Sequence, residues 1–112
     1  MAWKIEILNK TVQKELEALP LDLRAKFLHI AQMLEDFGPQ NIREPYVKSL
    51  KSSKANLWEI RMKSKSGIGR AIYITVKKER IVVLHVFIKK TQKTPQNALE
   101  KAIKRIKEVT YD

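Results

Sequence analysis

The chain has 112 residues, which is enough for a single domain spanning 1–112 and too few for two. With 44% hydrophobic and 31% charged residues it has the composition of a folded globular protein, and the lack of cysteine excludes disulfides, a thiol nucleophile and thiolate metal sites. The formal net charge of +11 favours a polyanionic partner, of which nucleic acid is the commonest. No signal peptide and no apolar run long enough to span a membrane is present, so we expect a cytoplasmic protein without a membrane partner.

The first elements are predicted to be a strand and a helical hairpin. Apolar residues alternate with polar ones over residues 3–7, as in a strand with one buried face. Asn9 is a good N-cap for a short helix that Pro20 ends. Asp22 is predicted to cap a longer helix, in which apolar residues recur at steps of three and four until Gly38.

The remaining residues predict an antiparallel meander followed by a C-terminal helix. Residues 40–56 are predicted to form a surface connection with a short strand at 46–50. Strands follow at 57–63, 70–76 and 81–88, with the 64–69 and 77–80 segments as hairpin loops. Gly67-Ile68-Gly69 is read as a structural turn, since it lacks the pattern of a phosphate-binding loop.

Two expectations about the last strand and the last helix complete the fold. The last strand is apolar on both faces, so we expect it at the centre of the sheet. Thr94 is predicted to be the N-cap, and Pro95 the first residue, of the final helix. The resulting fold class is α+β, with helices packed on one face of a mainly antiparallel sheet and the other face open.

The positive charge is concentrated in the middle of the chain. Residues 48–90 hold twelve lysines and arginines but only two acidic residues, Glu59 and Glu79. Such a basic stretch is most often a solvated face or a non-specific phosphate contact. The alternative is chemistry on phosphate, and the residues alone leave both open.

A set of cations on rigid strands suits cleavage of RNA without a metal. This reaction needs the 2′-OH deprotonated, the charge on the phosphate stabilised and the leaving 5′-oxygen protonated. Arginine meets the second need, and lysine can transfer protons only if crowding by other cations lowers its pKa. Tyr73 either packs, stacks on a base or delivers a proton, whereas Trp58, His29 and His85 are interpreted as structural, and Glu59 as a partner of Arg61. No motif predicts a metal site or a cofactor.

Three segments are similar to the phage-derived branch of the RelE/HigB superfamily, the toxins of type II toxin–antitoxin pairs. They are LWEIR at 57–61, GRAIY at 69–73 and FIKKTQKTP at 87–95. The resemblance covers nearly the whole chain. It implies a small α+β fold, a cognate antitoxin encoded beside it, expected to be a helix-turn-helix DNA-binding protein, and ribosome-dependent cleavage of mRNA. A ParE-like inhibitor of gyrase and a non-catalytic nucleic-acid-binding module remain alternatives.

The resemblance also implies roles for individual residues. Arg61, Arg70 and Lys90 match its catalytic cations, and Tyr73 stands beside them. Glu59 stands where members tend to carry a second basic group, and the usual proton donor after the last strand is missing. The remaining lysines of the basic region are expected to bind RNA: Lys48, Lys51, Lys54, Lys63, Lys65, Lys89 and Lys93.

Overall fold

The computed structural model describes residues 3–51, 56–89 and 94–109. Within these ranges the elements are β1 Lys4–Ile7, α1 Lys10–Glu17, α2 Leu21–Phe37, β2 Val47–Lys51, β3 Asn56–Ser64, β4 Gly67–Val76, β5 Arg80–Lys89 and α3 Gln96–Arg105. Single 3₁₀ turns, Pro39–Asn41 and Ile106–Glu108, follow α2 and α3. None of the helices in these ranges could span a lipid bilayer.

The described strands form one mainly antiparallel sheet in the order β1-β5-β4-β3-β2, with β1 parallel to β5. The predicted α+β class and the meander are confirmed. The predicted 64–69 loop is shorter than expected, because β3 and β4 pair up to Ser64 and Gly67 and leave a two-residue turn. Gly67 has a φ of 125°, which only glycine adopts readily, so its role is that of a turn residue.

The expectation that the last strand is central is wrong, since β4 occupies that place. β1 pairs with β5 only over residues 80–83, and the remainder of β5 lies at the edge of the sheet. There Glu15 of α1 accepts a hydrogen bond from the Val86 amide at 3.0 Å, and Arg105 of α3 donates to the Leu84 carbonyl at 2.9 Å. Glu15 and Arg105 also pair with each other at 2.9 Å. These two side chains therefore bond the backbone groups of β5 that a neighbouring strand would otherwise bond.

His85 belongs to this edge network. Its Nδ1 lies 2.9 Å from Glu15 Oε1, its ring is almost fully buried, and burial lowers its pKa below the ordinary value. The imidazole is therefore neutral at pH 7 and donates from Nδ1 to the carboxylate. The interpretation of His85 as structural agrees with this geometry.

The helical hairpin packs on one face of the sheet. Asn9 caps α1 as predicted, because its side chain accepts from the Val12 amide at 3.0 Å. α2 begins at Leu21 after Pro20, so Asp22 is not its cap. Instead Asp22 accepts from the Ser66 amide at 3.1 Å, which ties the β3–β4 turn to the helix.

The expectation that the helices cover one face alone is wrong. α3 buries Ala98 and Ala102 against the opposite face, in a second core. Its sheet residues are Leu57, Ile72, Ile74, Val82 and Leu84. β5 is apolar on both faces because each face meets a helix, rather than because the strand is central.

Candidate active site

The face that carries α3 also carries the basic residues, which continue beyond the second core along the same strands. The strand register places Arg61 opposite Arg70 and Ile68 opposite Lys89. Lys48 lies opposite Glu59 on the neighbouring strand. We call this the cationic face, defined by Lys48, Arg61, Lys63, Arg70 and Lys89.

Arg70, one of the residues of the cationic face, forms a buried ion pair with Glu59. Glu59 and Arg70 are each 1% exposed, and Arg70 Nε lies 3.1 Å from Glu59 Oε1. The other carboxylate oxygen accepts a hydrogen bond of 2.6 Å from Thr94 Oγ1. Thr94 was predicted to cap α3, but Pro95 occupies that position and makes no side-chain cap. The hydroxyl instead ties the start of α3 to Glu59, and the carboxylate pairs with Arg70, a partner that the sequence did not indicate.

A cleft of about 170 Å³ opens beside this pair and is lined by Pro45, Arg61, Lys63, Ile68 and Arg70. Arg70 Nη2 is buried and has no hydrogen-bond partner among the described residues. A buried donor without an acceptor is costly in a folded protein, and an anionic oxygen would satisfy it with a charge-assisted hydrogen bond. The cleft therefore has the chemistry of a phosphate site.

Lys89 adds an unusual lysine to the cationic face. It is only 4% exposed, and burial, reinforced by the positive charges of Arg70, Arg61 and Lys48, lowers its pKa, while Glu59 acts in the opposite direction. The pKa of Arg70 is also lowered by burial, but a guanidinium keeps its charge. Lys89 is thus suited to proton transfer. The sequence predicted it as an RNA-binding lysine that assists Lys90.

Tyr73 lies on the wrong face for the role suggested for it. It is fully buried in the core between the sheet and the helical hairpin, and burial raises its pKa. Because side chains alternate along a strand, a residue three positions after Arg70 points away from the cleft. The prediction of a catalytic Tyr73 is therefore corrected. The alternation of side chains along the strand was the sequence signal that could have shown this.

The other predicted residues fall into two groups. Lys48, Lys63 and Lys65 are exposed, the first two on the cationic face and the third in the β3–β4 turn. Lys54, Lys90, Lys93 and the side chain of Lys51 lie outside the described residues. Within the described ranges, no three His, Asp or Glu side chains come together as a metal site would require.

Comparison with known families decides the membership of the chain. The model of the family described as phage-derived protein Gp49-like matches residues 14–107. The chain belongs to this Gp49-like family. This membership agrees with the resemblance to a phage-derived family that the sequence predicted.

A solved structure supports the same fold for this Gp49-like protein. It is the free form of an Escherichia coli RelE toxin variant in which two arginines are replaced by alanine. It superposes on this chain with a TM-score of 0.65 at 18% identity, and the match covers 95% of this chain and 99% of that one. No curated protein matches.

Proposed function

We propose that this Gp49-like protein is the toxin of a type II toxin–antitoxin pair and a metal-independent, ribosome-dependent mRNA endonuclease. The observation that carries the proposal is a cleft lined by Arg70, whose buried Nη2 donor is unused. Lys89, a buried lysine of lowered pKa, is the register partner of Ile68, which also lines the cleft. Family membership supports the toxin part of the proposal. Its action on ribosomes would place it in the cytoplasm, with an antitoxin as its second partner.

In the proposed reaction Arg61 and Arg70 hold the scissile phosphate and neutralise the charge that develops on it. The neutral amine of Lys89 takes the proton of the 2′-OH as that oxygen attacks the phosphorus. The bond from phosphorus to the 5′-oxygen breaks, leaving a 2′,3′-cyclic phosphate and a 5′-OH. Lys90, the neighbour of Lys89 in sequence, is proposed to position RNA or to return a proton to the leaving oxygen.

The pH profile of cleavage tests the role of Lys89. A general base must be neutral, so the rate should rise about tenfold per pH unit up to the Lys89 pKa and then level off. That pKa is lowered from the ordinary 10.5, so the plateau should begin at a lower pH than for an exposed lysine. Arginine cannot deprotonate, so the Lys89→Arg variant should cleave slowly in single-turnover assays on programmed ribosomes. Its cleavage rate should not show this tenfold rise per pH unit. Lys77→Arg, on the exposed β4–β5 turn, is the control; equal slopes in Lys89→Arg and the parent would refute the role.

The salt dependence of RNA binding tests the exposed part of the cationic face. Each phosphate contact with single-stranded RNA contributes about 0.7 to the slope of log K against log salt. Lys48→Ala and Lys63→Ala should each lower the slope by about this amount in fluorescence anisotropy. Lys10→Ala, on the exposed side of α1, should leave it unchanged. A slope that responds equally to all three substitutions would show that RNA has no preferred face.

Induced expression with mapping of mRNA 5′ ends tests the function itself. We expect growth arrest together with new 5′ ends on translated messages. Arg61→Ala should abolish both, because this arginine lines the cleft. It does not belong to the buried ion pair, so the substitution leaves that pair intact. Growth arrest with intact transcripts and damaged DNA would instead indicate inhibition of gyrase. RNA binding without arrest or new ends would indicate a non-catalytic binding module.

A further inference from the structure

A second pocket, which the proposed reaction does not use, lies between β5 and the first turns of α3. Its volume is about 240 Å³. It is lined by His85, Phe87, Ile88, Pro95, Asn97, Ala98 and Lys101. The lining combines flat aromatic and apolar walls with an amide and an ammonium, on the same side of the sheet as the cationic face.

The aromatic wall is a preassembled stack. The rings of His85 and Phe87 lie with centroids 4.9 Å apart and planes 22° from parallel. Glu15 accepts a hydrogen bond from His85 Nδ1, so the stack is fixed to the edge of the sheet. Phe87 is half-buried and lies two positions after His85 on β5. A flat ring system could therefore pack here without any rearrangement of the wall.

Polar groups surround the stack. Asn97 is exposed on the first turn of α3, and an amide can donate and accept at the same time, as recognition of a base edge requires. Lys101, one turn further along α3, lies close enough to His85 for its charge to act on the ring. The positive charge also favours an anionic ligand over a neutral one.

The pocket lies next to the phosphate cleft. Phe87 and Arg70 are direct partners in the register of β5 and β4, and neighbouring strands lie about 5 Å apart. An RNA strand whose phosphate contacts Arg70 would thus have an adjoining base beside Phe87. We propose that this pocket binds one nucleobase of the RNA and sets the base preference of the cleavage, an inference that rests on the proposed nuclease function.

Titration of the free protein tests binding without requiring catalysis. The four ribonucleoside 5′-monophosphates and inorganic phosphate are added separately to ¹⁵N-labelled protein. We expect at least one nucleotide to shift the amide signals of Phe87, Asn97 and Lys101, and inorganic phosphate to shift only signals around Arg61 and Arg70. If no nucleotide moves the pocket signals, the inference is overturned.

Matched substitutions test the effect on specificity. Phe87→Leu keeps the apolar volume but removes the stacking ring, and Asn97→Ala removes the amide. Loss of a stacked base weakens single-stranded RNA binding by about fivefold or more. We expect both variants to bind RNA more weakly and to cut mRNA with an altered base preference. The controls are Phe37→Leu, a phenyl ring that is 62% exposed on α2, and Gln96→Ala, an exposed amide on the same turn of α3.

The outcomes separate the pocket from the proposed function. A parent protein that cuts mRNA, with both pocket variants giving the same cleavage sites as the parent, would overturn the inference and leave the nuclease function standing. A parent that never cuts mRNA but shows nucleotide shifts in the pocket would refute the nuclease function and retain a nucleotide site. Pocket signals that respond to the antitoxin and to no nucleotide would show that the pocket binds protein, and would also overturn the inference.

Discussion

Arg70→Lys is expected to lower the single-turnover rate of mRNA cleavage by about 10²- to 10³-fold, the usual cost of removing one donor that stabilises a transition-state oxyanion. Lysine keeps the charge but has neither the planar fork nor the reach to contact Glu59 and a phosphate together. Arg70 needs both contacts, since its Nε faces Glu59 while its Nη2 has no partner among the described residues. The assay is cleavage of a defined message on programmed ribosomes.

Arg80→Lys is the matched control for Arg70→Lys. Arg80 also forms an ion pair with a carboxylate, at 2.6 Å from Glu6, but it lies at the opposite end of β5 from the cationic face. We expect Arg80→Lys to cleave at the parental rate. If Arg70→Lys cleaved as fast as Arg80→Lys, the fork of Arg70 would have no role in catalysis and the proposed phosphate site would be wrong.

Glu59→Gln is expected to destabilise the protein by about 3–5 kcal/mol, the cost of leaving a buried charge without its partner. The effect should be large because both members of the pair are 1% exposed, and because Arg61 and Lys89 surround Arg70 with further positive charge. The amide oxygen of glutamine can still accept from Thr94, but its NH2 group then faces Arg70 Nε. The measured cost therefore combines the loss of the charge with the loss of an acceptor for Arg70. Urea unfolding monitored by circular dichroism gives the free energy.

Glu6→Gln provides the comparison for Glu59→Gln. It breaks the Glu6–Arg80 pair, in which the glutamate side chain is 41% exposed, and should cost about 1 kcal/mol or less. Combining Glu59→Gln with Arg70→Met removes the uncompensated charge and should recover part of the lost stability. Equal costs for Glu59→Gln and Glu6→Gln would show that the buried pair contributes no more than a surface one.

Much of the fold was predictable because it depends on local chemistry. The Asn9 cap, the Pro20 break and the apolar spacing of the hairpin act within a few residues of one another, and strand alternation identified the meander. The errors concerned long-range partners. Thr94 satisfies the local rule for a cap, yet its hydroxyl donates to Glu59, 35 positions away. Likewise, a strand can be apolar on both faces because helices pack on each face or because it lies at the centre of the sheet. Composition does not distinguish these two causes.

By itself the sequence determined the α+β class, the family resemblance and the concentration of positive charge in residues 48–90. All three depend only on residue types and their spacing along the chain. Only the tertiary structure decided which cations are chemically distinct. Exposure and pairing depend on what the other strands and α3 bring to each side chain. Arg70 and Lys89 are therefore buried, Lys48 and Lys63 stay in solvent, and Tyr73 is placed in the opposite core.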